Sequence, residues 1–174
     1  MLLLAAALVA FIALSADPAT APSASPAAAD GGPDGSTERA QVVRVVDGDT
    51  IVVRIGGREE RVRYIGLDAP EVANAGAGTD AECGGDEART ANDRLVTGEE
   101  VVLERDVSDR DRFGRLLRHA WLPNGTWRLI GLELVEEGAV EARSYPPDTT
   151  RDAELDAAER RSRDQEAGIW GECR

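Results

Sequence analysis

The chain has 174 residues, enough for one domain, and a formal charge of −13 from 33 acidic and 20 basic side chains, every basic one an arginine. That balance excludes a cationic coat holding polyanions nonspecifically, so any phosphate chemistry must be local. Cys83, Cys173 and the distant His119 have no zinc-ligand spacing, which excludes a zinc site of the usual kind.

Leu2 to Leu14 is an almost uninterrupted apolar run ending in Ser15 and Ala16, the length of a signal-peptide core and short for a bilayer span. It predicts export, with residues 1–16 as the signal. An uncleaved anchor is the alternative, because only the terminal amine charges the start of the run. Residues 17–39 are rich in Ala, Pro, Ser and Gly, too poor in large apolar side chains to offset the entropy of ordering, and read as a disordered linker to a folding unit at 40–174. No later run reaches membrane-spanning length, so the mature protein is expected to be soluble and extracellular. In an exported chain two cysteines usually pair, and a Cys83–Cys173 bridge would close a loop of about 90 residues, contributing on the order of 4 kcal/mol in the chain-entropy model.

Gln41 to Val46 and Thr50 to Ile55 are β-branched runs around Asp47-Gly48-Asp49, a turn signal that makes them a hairpin. Gly56-Gly57 turns the chain again into a third strand, Glu59 to Leu67, where Val62 and Tyr64 alternate with Arg61 and Arg63. A Gly-rich loop holding Cys83 precedes a helix over 86–96, stopped at Gly98. Strands at 100–107 and 116–122 flank the polar loop 108–115, with His119 surface or packed. Asn124-Gly125 then turns into a helix that carries Leu129, Leu132, Leu134 and Val135 and ends at Gly138. A charged last helix spans 148–167. Trp121, Trp127 and Trp170 read as core or helix-docking residues. Five short strands with about three α-helices predict an α+β domain, mainly a β barrel: a five-stranded Greek-key barrel of OB type.

Taken singly, Asp47-Gly48-Asp49-Thr50 is a hairpin turn and Asp68-Ala69-Pro70-Glu71 a strand stopped by proline. Their convergence carries more, since each acid pair sits at a strand edge, the strands are neighbours, and Arg63 lies on the second. Arg63 and Asp68 are five residues apart, which on a regular strand puts them on opposite faces. A bulge near Gly66 is therefore required if both serve one site.

VVDGDT (45–50), RYIGLDAPE (63–71), DRFGR (111–115) and GIW (168–170) together, in this order, resemble the staphylococcal-nuclease family from about Gln41 to the C-terminus. The resemblance implies a secreted calcium-dependent nuclease hydrolysing DNA and RNA, single strands favoured, acting as a monomer. Calcium would be held by Asp49, Asp68 and the main-chain carbonyl of Ala69. Glu71 would orient or deprotonate the attacking water while Arg63 and Arg115 grip the phosphate. Arg112, Phe113 and Tyr145 fall at substrate-side positions. Phe113 stands where the family has Tyr, which removes a hydroxyl and leaves a stacking face.

Elementary chemistry supports the same roles. A hard divalent cation takes carboxylate and carbonyl oxygens, and two aspartates leave its coordination open. Arginine supplies a permanently charged fork where negative charge builds on phosphoryl oxygens. A noncatalytic OB module binding nucleic acid or protein is the competing expectation, and an extracellular calcium-binding structural domain a third. The presence of both aspartates, the glutamate and both arginines favours the enzyme.

Overall fold

The computed structural model describes residues 31–73, 78 and 80–173, so the expected signal at 1–16 and residues 17–30 of the expected linker lie outside the described residues. The hydrophobic alternation read from the sequence builds β1 (Ser36–Val45), β2 (Thr50–Ile55), β3 (Arg58–Tyr64) and β4 (Leu67–Asp68). After these come α1 (Gly85–Val96), β5 (Glu100–Arg105), β6 (Leu116–Asn124), β7 (Thr126–Leu129) and α2 (Ile130–Glu136). The chain ends with β8 (Glu141–Ala142), α3 (Asp152–Asp164) and α4 (Ile169–Glu172). Among the described residues no helix is long and apolar enough to cross a membrane.

β1 pairs with β5 through Ser36 to Gln41 and with β2 through Gln41 to Val45, a double use made possible by an irregularity between Val42 and Arg44 that bends the strand. β2 pairs with β3, β5 with β6, and β3 meets β6 in parallel from Val62↔Leu116 to Tyr64↔Arg118, which closes five strands into a barrel. This is the expected α+β class. Alternate residues point inward: Val42, Ile51, Val53, Val62, Val101, Leu103, Leu116 and Leu122 share one core with Ala88 of α1, Leu134 of α2 and Leu155 of α3. On the other face Trp121 packs with Val102 and Leu129 in a smaller cluster.

Several boundaries differ from expectation for local reasons. β1 starts at Ser36, inside the expected linker, because the N–H groups of Asp34 and Gly35 donate to the Glu104 carboxylate and anchor the segment. The expected third strand divides into β3 and β4 at Gly66, whose φ of 81° no strand residue shares. Asn124-Gly125 closes a β6–β7 hairpin before α2, so Leu129 belongs to a strand. Asp148 does not open the last helix, because its carboxylate is taken by the N–H groups of Val107 and Ser108. Trp127, expected in the core or docking a helix, lies 38% exposed on β7. Gly32 crosses it so closely that a Cβ there would fall 2.5 Å from the indole.

Candidate active site

Asp49 reaches its place through a turn fixed from three sides. The main chain closes with Val46 N–H on the Thr50 carbonyl at 2.9 Å, and Asp49 N–H donates to the Asp47 carboxylate at 3.1 Å, which makes Asp47 a turn residue. Asn92 of α1 donates to the Asp47 carbonyl at 2.9 Å while accepting from the buried Tyr64 hydroxyl at 3.1 Å. Gly48 sits between Ala69 and Ala88, where an added Cβ would come within 2.9 Å of both methyls, so only glycine fits.

The Asp49 carboxylate is 1% exposed and accepts from the Thr50 hydroxyl at 2.8 Å and the Ala69 N–H at 3.0 Å. Arg63 Nη1 lies 2.8 and 2.7 Å from its two oxygens. The break at Gly66 returns the chain so that Arg63 Nη2 also donates to the Leu67 carbonyl at 2.9 Å and to Asp68 Oδ1 at 3.3 Å. The departure from a regular strand that the five-residue spacing requires is thus present, as a break at Gly66 and not as a bulge. Asp68 is held from its other side by Arg143 Nη1 on Oδ2.

Burial raises the Asp49 carboxyl to about 7, with Arg63 opposing and Asp47 adding to the rise. Burial acts to lower the Arg63 guanidinium, yet Asp49, Tyr145 and Asp68 together carry it above its ordinary range. An acid buried with its charge under-compensated is the electrostatic setting that favours a cation. Asp49 accepts from Nη1 and Asp68 from Nη2 of the same guanidinium, which links the two carboxylates. Among the described residues no three His, Cys, Asp or Glu side chains gather to hold a metal ion. Two carboxylates, with the remaining positions left to main-chain oxygen, water and substrate, fit a loosely coordinated hard cation and not zinc.

Asp111 organises the loop that ends at Arg115. Its Oδ1 accepts N–H bonds from Phe113 and Arg115, each 2.9 Å, and its Oδ2 receives Arg115 Nε at 2.6 Å. Gly114 at φ 82° lets the loop close with Asp111 N–H on the Arg115 carbonyl at 3.0 Å. Phe113 is left 70% exposed, with the Arg112 guanidinium 4.6 Å and that of Arg115 5.6 Å from its ring centre. Arg63, Arg112, Phe113, Arg115 and Tyr145 line one cavity of about 390 Å³. A second cleft, of about 430 Å³, is lined among others by Asp68, Ala69, Glu82, Glu141 and Arg143.

Glu71 is the predicted residue that the fold leaves apart, since it is exposed and lines neither cavity. Its main chain is nevertheless fixed. Its N–H donates to Glu82 Oε2 at 3.0 Å, its carbonyl accepts from Glu82 N–H at 2.9 Å, and Gly85 lies so close that a Cβ would stand 2.4 Å from that carbonyl. The neighbouring Cys83 is joined to Cys173, as the pairing argument predicts. Asp111 and Arg143 are the contributors that sequence reasoning missed. An Asp followed two and four residues on by turn N–H groups is a readable signal for the first. Nothing local marks the second.

Residues 61–172 match the family model described as staphylococcal nuclease homologue. The thermonuclease of Staphylococcus intermedius is 33% identical over 129 residues, 74% of this chain and 74% of that protein. That of Staphylococcus hyicus is 32% identical, covering 75% and 74%. The micrococcal nuclease of Shigella flexneri is 34% identical over 141 residues, covering 77% and 74%.

Proposed function

The chain belongs to the staphylococcal nuclease homologue family, and on that premise we propose that it is a secreted, calcium-dependent nuclease that hydrolyses phosphodiester bonds in DNA and RNA. The observation that carries this reading is the single Arg63 guanidinium shared by Asp49 and Asp68, beside a cavity that also holds Arg115, Phe113 and Tyr145. Export accords with the apolar leader and the disulfide.

Asp49, Asp68 and the Ala69 carbonyl would hold the calcium, which when bound supplies concentrated positive charge to polarise the phosphoryl group. The chain's own groups do the rest. Phe113 and Tyr145 offer exposed rings on which an unpaired base can stack, favouring single strands. Arg63 and Arg115 donate to the phosphoryl oxygens as negative charge grows on them, each from a position already fixed by a carboxylate. By family resemblance Glu71 would orient the attacking water or accept its proton, which requires its exposed side chain to reach the phosphate from outside both cavities. As the water oxygen bonds to phosphorus, the oxygen–phosphorus bond to the leaving nucleotide breaks and the leaving oxygen takes up a proton. With a net charge of −13, substrate is held by this local arginine set and not by the general surface.

The test is incubation of the purified protein with single-stranded DNA, RNA and plasmid in calcium, in magnesium and in chelator. Calcium is expected to support cleavage, magnesium to support it poorly because of its stricter octahedral geometry, and chelator to abolish it. Full cleavage in chelator would overturn the cation assignment. Binding of single strands in calcium without any product would instead establish a noncatalytic module.

A further inference from the structure

Asp68 accepts two arginines at once, Arg63 through Oδ1 and Arg143 through Oδ2. Their settings differ. The Arg63 side chain is 17% exposed and also bound to Asp49 and the Leu67 carbonyl, whereas that of Arg143 is 56% exposed. Its backbone, by contrast, is fixed. β8 pairs with β4 through Leu67↔Ala142 and Asp68↔Glu141, and Arg143 N–H donates to the Gly66 carbonyl at 2.8 Å. A rigid root thus carries a largely exposed guanidinium at the Asp68 cleft. It lines the Asp68 cleft, and Tyr145, two residues on, lines the other.

Charge bookkeeping gives this position a consequence. Asp49 and Asp68 against Arg63 and Arg143 sum to zero, so a divalent cation taking both carboxylates leaves two extra positive charges and two guanidinia without their partners. Apart from Glu82 and Glu141, which line the same cleft, the anions that can reach them are the phosphates of a bound polynucleotide. An exposed ion pair contributes little, so releasing Arg143 from Asp68 costs little.

We propose that Arg143 is a further substrate-binding residue, held on Asp68 until a divalent cation takes that carboxylate and then donating to a phosphate of the polynucleotide next to the one being cut. This rests on the nuclease reading above. Arg143 plays no part in bond breaking, and it ranks with Arg112 as a residue that places the chain.

The experiment compares the wild-type protein with Arg143→Gln and Arg143→Lys. Calcium binding without nucleic acid is followed by calorimetry, and cleavage of a labelled single-stranded oligonucleotide is followed across a salt series. In Arg143→Gln calcium should bind about two- to fivefold more tightly, since an internal competitor worth one exposed ion pair is gone. KM should rise roughly tenfold with kcat within a few fold, as expected for one lost charge-assisted contact. The slope of log kcat/KM against log salt should become shallower by about 0.7, the mark of one phosphate contact on a single strand. Arg143→Lys, keeping the charge, should restore the slope. Unchanged calcium affinity with an unchanged salt slope would overturn the role of Arg143 while leaving the nuclease reading intact. A wild-type protein that neither binds calcium nor cuts would remove that reading first and the present one with it.

Discussion

Two clusters of carboxylates and arginines occupy this small barrel, and they are built from the same residue types to opposite effect. Around Glu104 every acceptor is met by donors that cannot leave: Oε1 takes the N–H groups of Asp34 and Gly35 at 2.7 and 2.9 Å, and Oε2 takes the Trp121 indole at 2.9 Å and Arg151 at 3.4 Å. Burial acts to raise this carboxyl, yet those bonds outweigh it and hold it below its ordinary range. Around Asp49 burial wins, and the carboxyl rises to about 7 despite Arg63. Glu104, held by two main-chain N–H groups and an indole, braces the structure, whereas Asp49 and Asp68, tied together through the Arg63 guanidinium, are equipped to exchange an arginine for a cation.

Substitutions in the Asp49 region should therefore cost activity with little stability, and those at Glu104 the reverse. Arg115→Lys keeps the charge and loses the fork that both Asp111 and a phosphate use, so turnover should fall roughly a hundred- to a thousandfold while the Tm holds. Glu71→Gln should lower kcat by at least about a hundredfold with calcium affinity retained, as expected for a lost proton acceptor. A loss of only a few fold in both would mean that the reacting phosphate lies elsewhere. In Glu104→Gln the buried Arg151 loses one of its two carboxylates, keeping only the exposed Asp34, and an amide NH2 meets donors, a change that should destabilise by about 3 kcal/mol in chemical denaturation with kcat kept within a few fold. Severe loss of kcat in a fully folded Glu104→Gln would erase the distinction between the clusters.

Gly48→Ala is intermediate, because it touches the frame of the Asp49 cluster without touching its chemistry. The new methyl meets Ala69 and Ala88, and overpacking of this kind typically costs about 1–3 kcal/mol. Displacement of the turn should lower activity more than the melting curve alone explains. Equal stability and activity to wild type would show that the turn gives way without moving Asp49.

How much of each cluster could be read beforehand follows from sequence distance. The Asp49 turn was legible because an Asp-Gly-Asp turn between two β-branched runs permits little else, and Gly66 was legible as the break that the Arg63–Asp68 spacing demands. The five barrel strands follow from period-two alternation. Tyr145 was placed only by resemblance, and it lines the same cavity as Phe113. Arg143 was not legible, since it reaches Asp68 through a pairing of two-residue strands 75 positions apart, too short to leave a pattern. The Glu104 cluster was hidden for a related reason. Two of its donors are main-chain groups in a Gly/Pro-rich stretch whose composition reads as linker, and composition says nothing about where an N–H points. β7 escaped because four residues between a tight turn and a helix carry too few alternations to register.

The smallest effect separates the clusters by sign. His119 is 3% exposed and its Nε2 has no hydrogen-bond partner among the described residues. Burial lowers its ordinary value of 6.5, with Glu104, Asp106 and Asp148 pulling upward and Arg151 downward. It is therefore neutral in the fold. Below pH 6.5 the unfolded chain binds a proton that the fold refuses, so the stability His119 contributes is complete above 6.5 and falls as pH drops toward its lowered value, by at most about 1.4 kcal/mol per pH unit. Asp49 acts oppositely over the same range, because a carboxyl raised from 3.8 to about 7 binds its proton earlier in the fold than in the unfolded chain and stabilises on acidification. The wild-type curve should consequently be flatter between pH 6.5 and 5 than either residue alone would make it. His119→Gln removes one side of that balance and leaves Asp49, so its stability relative to wild type should improve steadily as pH falls through this window. The two should run parallel only below the lowered value of His119, where the fold and the unfolded chain both hold its proton. A difference that stays constant from pH 7 to 5 would show that His119 takes up its proton in the fold as readily as in the unfolded chain, and the region around Glu104 would then have to be wet.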